Sequence, residues 1–310
     1  MHAPEPAYLA TLRTGRFAPK IRRAFRWLKK CGLCPRKCGV NRLRNETGVC
    51  RTGRRARVSA AQAHFGEEAP LVGSGGSGTI FLAHCNLLCI FCQNYEISHQ
   101  GQGHDLGPGR LADCMLALQN QGCANINLVT PSHVVPQILA AVFIAARRGL
   151  HLPLVYNSSA YDSIGTLKLL EGVVDIYMPD FKFWDPVPAA QLCQAPDYPA
   201  VARRAIAEMH RQVGDMVINS SGVARRGLLV RHLVMPDSLT ETAGIMEFLA
   251  REISPATYVN VMPQYRPLGS IQSHPRFSRA LTAPEYQRAI QSALDAGLTR
   301  LDPPRPFFRL

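Results

Sequence analysis

The sequence contains no apolar run approaching the roughly 20 residues needed to cross a bilayer. Its first residues are polar and basic, without the apolar middle of a signal peptide. These absences argue against a membrane span and a secretory signal, and they predict a cytoplasmic protein. The chain has 310 residues, 46% of them apolar, which allows one large domain or two ordinary ones around a sizeable core.

Acidic residues are almost absent between Arg13 and Arg57, and this stretch carries much of the formal charge of +13. A solvated basic face is the simplest interpretation. An acidic protein partner, an anionic electron donor and nucleic acid are the alternatives. No signature of an RNA- or DNA-binding module is present, which argues against nucleic acid.

Most of the ten cysteines fall into two clusters, which in a cytoplasmic chain indicates metal or redox chemistry rather than disulfides. The first cluster has C-x2-C-x3-C-x11-C spacing, with Gly and Pro between its members. Four thiolates at this spacing suit a zinc ion or an iron–sulfur cluster, and the spacing does not choose between them. Its members are Cys31, Cys34, Cys38 and Cys50.

The second cluster is Cys85, Cys89 and Cys92, at C-x3-C-x2-C spacing just after a predicted strand at 79–83. Three ligands are one short of a closed structural zinc site. Either a histidine completes a zinc site, or the thiolates hold a [4Fe-4S] cluster with one iron open to a small chelator. The histidines near enough in sequence are His84, His99 and His104. The three remaining cysteines, predicted to be packing residues, are Cys114, Cys123 and Cys193.

From residue 79 onward, strand and helix patterns alternate in six units. Such alternation predicts right-handed βαβ connections, a parallel sheet and an α/β fold, here a partial (β/α)6 barrel. The predicted strands are 79–83, 125–130, 152–158, 173–178, 227–235 and 257–262. The predicted helices are 111–121, 132–148, 163–172, 198–213, 239–251 and 283–296.

The chain is divided into a basic N-terminal extension over 1–72, the barrel over 73–300 and a proline-rich tail over 301–310. The extension is predicted as an extended arm, a short basic helix at 21–30 and the four-cysteine knuckle. The glycine-rich stretch 73–78 lacks the Gly-Lys-Ser/Thr of a phosphate-binding P-loop, and a turn is the favoured interpretation.

Polar residues follow the predicted strands where each one ends, as in barrels whose site lies at the carboxyl ends of the strands. Asp180 and Lys182 are two positions apart and therefore share one face. They form either a local ion pair or part of a site. The other polar strand ends carry Thr130, Ser132, Asn157, Ser159, Arg231, Asn260 and Gln264.

On these motifs the chain resembles the radical S-adenosylmethionine superfamily. Cys92-Gln93-Asn94 is similar to the Cys-His-Asn of glycyl-radical activating enzymes, and Asp180-Phe181-Lys182 resembles their Asp-Leu-Lys. More closely, residues 31–300 resemble a branch of the pyruvate formate-lyase activating-enzyme-like proteins. The matching strings are 31–42, 64–68, 77–81, 92–98, 125–131, 175–182 and 230–234.

The resemblance implies that the three thiolates of the second cluster hold [4Fe-4S] and that S-adenosylmethionine chelates the open iron. It implies cleavage to a 5′-deoxyadenosyl radical that abstracts hydrogen from a substrate, so no side chain is assigned to that step. The electron would come from a low-potential, flavodoxin- or ferredoxin-like donor. The expected cofactor-binding residues are Phe91, Asn94, Thr130, Ser132, Asn157, Ser159, Asp180, Lys182 and Arg231.

Two departures from the superfamily pattern stand out. The usual Gly-Gly-Glu after the second strand, which receives the methionine ammonium, is replaced by Thr130-Pro131-Ser132. Hydroxyls or carbonyls at this place are the expected substitutes. The four-cysteine knuckle precedes the radical motif instead of following it, so the auxiliary clusters of other activating enzymes are not transferred to it. We expect the knuckle to bind a second metal, either zinc or an iron–sulfur cluster.

Three functions are compatible with these features. The first is a radical enzyme that installs a glycyl radical on a partner protein, with the basic extension docking an acidic surface. The second is a radical enzyme acting on a small molecule or a peptide. The third is a non-catalytic metal- or nucleic-acid-binding protein, against which the polar strand ends argue.

Overall fold

The chain folds as a mixed α/β protein around one ten-stranded sheet, as a computed structural model of residues 5–237 and 239–303 shows. The strand order is β10-β9-β8-β6-β5-β4-β2-β1-β3, with β7 beside β8. The strands are β1 (Ala56–His64), β2 (Ser77–Leu82), β3 (His104–Leu106), β4 (Ile126–Val129), β5 (Leu154–Ser158), β6 (Ile176–Pro179), β7 (Val217–Ile218), β8 (Ala224–Leu233), β9 (Tyr258–Met262) and β10 (Arg300–Leu301).

Six strands, β2, β4, β5, β6, β8 and β9, are parallel neighbours in chain order, which confirms the predicted α/β fold of six units. β10 adds a further parallel strand, and β1 and β3 extend the other edge antiparallel. The α-helices are α1 (Ala7–Arg13), α2 (Phe17–Arg26), α3 (Ala69–Val72), α4 (Tyr95–Ser98), α5 (Pro108–Asn120), α6 (Val135–Arg147), α7 (Ile164–Leu170), α8 (Pro186–Cys193), α9 (Tyr198–Val213), α10 (Leu239–Phe248) and α11 (Ala283–Asp295). A π-helical turn, Leu249–Ile253, extends α10, and 3₁₀ turns occur at Trp27–Lys30, Arg42–Arg44 and Gly269–Ser273.

The sheet is curved around an apolar interior of its own, separate from the larger core between the sheet and the helices. Inward-facing side chains of β5, β6, β8 and β9 form this interior with Leu71 of α3. The Asn125 side chain, just before β4, donates to the Leu71 carbonyl at 2.7 Å, so α3 lies at the amino ends of the strands. The interior is therefore filled near the amino ends of the strands, as in a partial barrel, in which the site lies at the carboxyl ends.

The predicted extended arm is wrong for the described residues, because α1 and α2 form there and pack against α6. The Ala7 amide donates to Asp175 at 2.7 Å and the Tyr8 hydroxyl donates to the Leu152 carbonyl at 2.9 Å. Phe17 packs on Phe143. These buried contacts explain the helices, since an amphipathic segment gains stability once its apolar face is covered.

The strand β1 was not predicted, yet it pairs with β2 and joins the N-terminal extension to the barrel sheet. The predicted glycine turn lies before β2, where a Cβ on Gly75 would be 1.9 Å from the Gly122 carbonyl oxygen. The predicted tail starts at Leu301, which is the last residue of β10. Its residues 304–310 lie outside the described chain. No helix in the described ranges combines the length and apolar character that crossing a membrane requires.

Candidate functional site

A cavity of about 240 Å³ opens at the carboxyl ends of the parallel strands. All three cysteines of the second cluster line it, together with most of the polar residues predicted from the strand ends. The predicted residues around the cavity are Cys85, Cys89, Cys92, Phe91, Asn94, Thr130, Asn157, Ser159, Asp180, Lys182 and Arg231. Gln264, another of the predicted strand-end residues, also lines the wall, and additional polar residues there are Gln93, Ser98 and Ser158.

The loop that carries the three cysteines follows β2 and is tightly turned. His84 and Leu88 both have positive φ, +68° and +58°, a conformation that side chains rarely adopt. Gly101 accommodates the turn, because a Cβ there would lie 2.1 Å from His84 Cε1. The backbone amide of Leu87 donates to Cys85 Sγ at 3.3 Å, and the Ser98 hydroxyl donates to Cys92 Sγ at 3.2 Å. Sulfur-directed donors of this kind stabilise thiolate ligands.

Burial strongly disfavours charge on these thiols as long as nothing is bound to them. It raises the pKa of Cys85 to about 12 and also raises the pKa of Cys92, which the Ser98 hydroxyl partly offsets. Thiols must lose their protons to bind a metal, so a bound group must itself stabilise the thiolates. The three cysteines therefore suit a bound metal group that is shielded from water.

Cys193 lies against the loop, although its sequence isolation had predicted only packing. Its thiol donates to Cys89 Sγ at 3.3 Å, a contact that would stabilise a thiolate at Cys89. Cys193 ends α8, whose Leu192 carbonyl accepts from the Ile90 amide at 2.9 Å. The contact spans 104 residues, so no local spacing signal could have found it.

A largely buried charge network forms part of the cavity wall. Asp180 accepts from Lys182 Nζ at 2.7 Å and from Arg231 Nε at 2.6 Å. Arg231 also donates to Asn157 Oδ1 at 2.8 Å. Burial by itself would raise the pKa of Asp180, but the two cations lower it below its ordinary value. Asp180 and Lys182 thus lie on one face, as the strand pattern predicts, and they form both the ion pair and part of the cavity wall.

Two carboxylates from the turn before α3 reach the same arginine from the barrel interior. Arg231 Nη1 lies 3.7 Å from Glu67 and 3.9 Å from Glu68, and the Asn260 side chain donates to Glu68 at 2.7 Å. These glutamates precede β2, so the strand-end pattern did not mark them. They hold Arg231 in place without lining the cavity in the described residues.

Two hydroxyl side chains follow neighbouring strands at the cavity. Thr130 follows β4, at the place of the expected Gly-Gly-Glu, and Ser159 follows β5. Thr130 directly follows β4 with φ +61°, and its amide donates to the Asn157 carbonyl at 2.8 Å. Ser159 Oγ is buried and has no hydrogen-bond partner in the described chain. A buried hydroxyl without a partner is costly, so Ser159 is able to pair with a group bound in the cavity.

Ser132 was predicted to bind the cofactor, but in the described part of the chain it does not line the cavity. Its hydroxyl contacts Asp162, which also accepts from Tyr156 and Ser158 at 2.8 and 2.7 Å. β4 ends at Val129, so alternation along a strand no longer sets the direction of residues beyond it.

The histidines that the zinc alternative would require, His84, His99 and His104, do not line the cavity in the described residues. His99 Nδ1 pairs with the Ser98 hydroxyl at 2.8 Å, and His104 is exposed on β3. Within the described chain, no three His, Cys, Asp or Glu side chains converge closely enough to share a single metal ion.

His232, next to Arg231 on β8, makes folding sensitive to pH. It is buried between the Phe181 carbonyl and the Thr242 hydroxyl, at 2.8 and 2.9 Å, and burial lowers its pKa to about 4. The unfolded chain takes up this proton near pH 6.5 but the folded chain does not, so stability should fall by about 3 kcal/mol between pH 6.5 and 4.

The measurement is urea unfolding across this pH range for the wild type and His232→Asn, which keeps a donor towards Phe181. The variant should show a flatter dependence. Part of the slope remains in both proteins because His133, whose pKa burial lowers to about 3, titrates in the same window. Identical slopes would show that His232 is not buried in its neutral form.

The fold and site define an α/β protein with a parallel partial barrel and a three-cysteine cavity at its carboxyl end. No model of a known protein family matches the chain. It is 30% identical over 282 residues to the uncharacterized protein MJ0674 of Methanocaldococcus jannaschii, a match that covers 88% of this chain and 77% of the relative. The chain therefore belongs to the protein family that includes MJ0674.

Two solved structures share part of the architecture: native anSMEcpe with bound AdoMet, and the same protein with bound AdoMet and the Cp18Cys peptide. Both have a TM-score of 0.47, with 10% and 8% identity over 69% and 71% of this chain. The chain spans 57% and 60% of the length of those proteins.

Proposed function

We propose that this protein is a radical S-adenosylmethionine enzyme with a [4Fe-4S] cluster held by Cys85, Cys89 and Cys92. The observation that supports it best is that these three thiols, one buried and two half-buried, share one cavity with a polar strand-end wall, at the position where barrels carry out chemistry. When bound, such a cluster supplies one electron that cleaves the sulfonium of S-adenosylmethionine to methionine and a hydrogen-abstracting 5′-deoxyadenosyl radical.

The protein's own residues bind and orient the sulfonium cofactor. Lys182 and Arg231 line the cavity beside Asp180, and their donors suit the methionine carboxylate and the anionic thiolates. The Thr130 and Ser159 hydroxyls are the acceptors offered to the methionine ammonium in place of the missing glutamate.

The aromatic side of the cavity excludes water. Phe91 is 3% exposed and packs on Phe183 and Tyr265 with ring centroids 6.0 and 6.2 Å apart. Gln93 donates to the Gln264 carbonyl at 2.5 Å, which closes the loop against the end of β9. Backbone beside Phe91 is the expected contact of the adenine. A radical formed behind this apolar wall is protected from quenching by solvent.

The test is anaerobic reconstitution with iron and sulfide, followed by S-adenosylmethionine and a strong reductant. We expect 5′-deoxyadenosine and methionine in equal amounts. Absence of both products from a protein that carries the cluster would overturn the proposal.

Installation of a glycyl radical on a partner protein is the more specific activity that the sequence resemblance implies. We keep it as a prediction, with a flavodoxin- or ferredoxin-like donor supplying the electron. A glycyl radical signal on a candidate partner, dependent on S-adenosylmethionine, would support it. 5′-Deoxyadenosine formation stimulated by a small molecule or peptide, without such a signal, would favour the other substrate class.

Cys193 should tune the reduction potential of the bound cluster. A thiol that donates to the Cys89 thiolate stabilises the more negative, reduced state, so Cys193→Ala should lower the midpoint potential. A hydrogen bond worth about 1 kcal/mol corresponds to about 40 mV for one electron. Potentiometric titration monitored by electron paramagnetic resonance measures the shift. Cys193→Ser keeps a donor and should stay near wild type; equal potentials in all three proteins would contradict this role.

A further inference from the structure

The four-cysteine knuckle packs directly behind the loop of the candidate radical site. Arg36, between two of its cysteines, donates to the carbonyls of Asn86 and Leu87 in that loop at 2.9 and 3.2 Å. It also donates to the carbonyls of Cys193 and Gln194 at 2.7 and 2.5 Å. The knuckle is therefore fixed to the barrel and does not hang from it as a separate arm.

All four cysteines face one small cavity, which Arg42 and His133 also line. Cys31, Cys34 and Cys50 are each 6–7% exposed. The Val49 amide lies 3.5 Å from Cys38 Sγ and donates to it.

Glycine is required at position 48, where the chain passes the third cysteine of the knuckle. A Cβ on Gly48 would come within 2.6 Å of Cys38 Sγ, so only glycine lets the chain pass this close to the sulfur. The loop geometry is thus arranged around the cysteine sulfurs, as expected of metal ligands.

Arg42 is the observation that points to a bound group. It is 1% exposed, and its guanidinium donates to the carbonyls of Gly53 and His133 at 3.1 and 2.6 Å. Its Nη1 lies 3.9 Å from Cys31 Sγ, and its Nη2 has no hydrogen-bond partner in the described residues. The hydrogen-bond partners of Arg42 in the described chain are two carbonyls and Cys31 Sγ, so this buried cation has no carboxylate beside it unless the cysteines supply the negative charge as thiolates.

We propose that Cys31, Cys34, Cys38 and Cys50 bind a second metal centre as four thiolates, and that its negative charge neutralises Arg42. Four thiolates leave either a tetrahedral zinc ion or a [4Fe-4S] cluster with a net negative charge, so both occupants satisfy the arginine. The four sulfurs line the cavity without converging on one point, and metal binding would pull them inward. The site needs no contribution from the three-cysteine loop, so it is tested independently of the radical chemistry.

The test uses full-length protein carrying Cys85→Ser, Cys89→Ser and Cys92→Ser, purified without oxygen. Zinc, iron and acid-labile sulfide are measured per chain. We expect either about one zinc or about four irons with matching sulfide, and the two results identify the occupant. Further replacement of Cys34 and Cys50 by serine should remove the metal. Equal, low metal content in both proteins would overturn the proposal.

Arg42→Met gives a second readout that does not depend on recovering the metal. If the thiolates carry a metal, the variant loses their counter-charge and its melting temperature falls below that of the same protein with Arg42. If the cysteines are neutral thiols, the variant removes a buried, uncompensated charge, which offsets the loss of the hydrogen bonds from Arg42 to the Gly53 and His133 carbonyls, and its melting temperature stays equal or rises. A rise would overturn the proposal even if adventitious metal is found.

Discussion

Replacing Cys89 with alanine is expected to reduce 5′-deoxyadenosine formation to the level of a reaction without enzyme. Cys89 is 8% exposed and lies between the other two cysteines of the loop, so its loss removes one of the three ligands proposed for the cluster. Two thiolates cannot hold a [4Fe-4S] cluster with one open iron. The measurements are product formation and iron content after reconstitution.

Cys114→Ala is the matched control, because Cys114 is partly buried on α5 and does not line the cavity as described. It should retain wild-type product formation and iron content. The iron content of Cys89→Ala should fall by the amount that the three-cysteine loop binds in the wild type. Any iron at the knuckle should be retained. Wild-type activity in Cys89→Ala would remove this loop from the mechanism.

Replacing Asp180 with asparagine should cost about 3–5 kcal/mol of folding free energy. The change leaves Lys182 and Arg231 buried without the carboxylate that now contacts both. Glu67 and Glu68 lie farther from Arg231, at 3.7 and 3.9 Å, and do not replace it. Urea unfolding at pH 7 measures the loss.

The pH dependence of this effect has a definite sign. The pKa of Asp180 is lowered in the folded state, so its contribution is fully present above its unfolded value of 3.8 and is lost as pH falls through the lower folded value. The difference between wild type and Asp180→Asn should therefore shrink only in strong acid.

Asp113→Asn provides the comparison for an exposed pair. Asp113 and Arg148 are also 2.7 Å apart, but both side chains are about half exposed, so the cost should stay within about 1 kcal/mol. Equal losses in the two variants would show that burial does not strengthen the Asp180 network.

The fold and most of the cavity could be predicted because both follow local rules. Alternating strand and helix patterns predicted the six parallel strands, and the helix predicted over 198–213 coincides with α9 (Tyr198–Val213). Alternation along a strand correctly placed Asp180 and Lys182 on one face. Residues that stand in or next to strands were therefore brought together as expected.

What the sequence did not predict depends on contacts between distant segments. Cys193 reaches Cys89 from α8, and Glu68 reaches Arg231 from the turn before α3. Ser132 was misplaced because it lies beyond the end of β4, where a turn and not the strand pleat sets its direction. Strand β1 was missed because its side chains are half-buried on an antiparallel edge and show no clear alternation.

The most direct test of the radical mechanism is the electron paramagnetic resonance spectrum of the reduced, reconstituted protein with and without S-adenosylmethionine. The protein lacking Cys85, Cys89 and Cys92 provides the baseline for any centre at the knuckle. The radical mechanism predicts that S-adenosylmethionine changes the signal that disappears in this variant, because the amino and carboxylate groups bind the open iron. A signal of the three-cysteine cluster that is unchanged by saturating S-adenosylmethionine would contradict it.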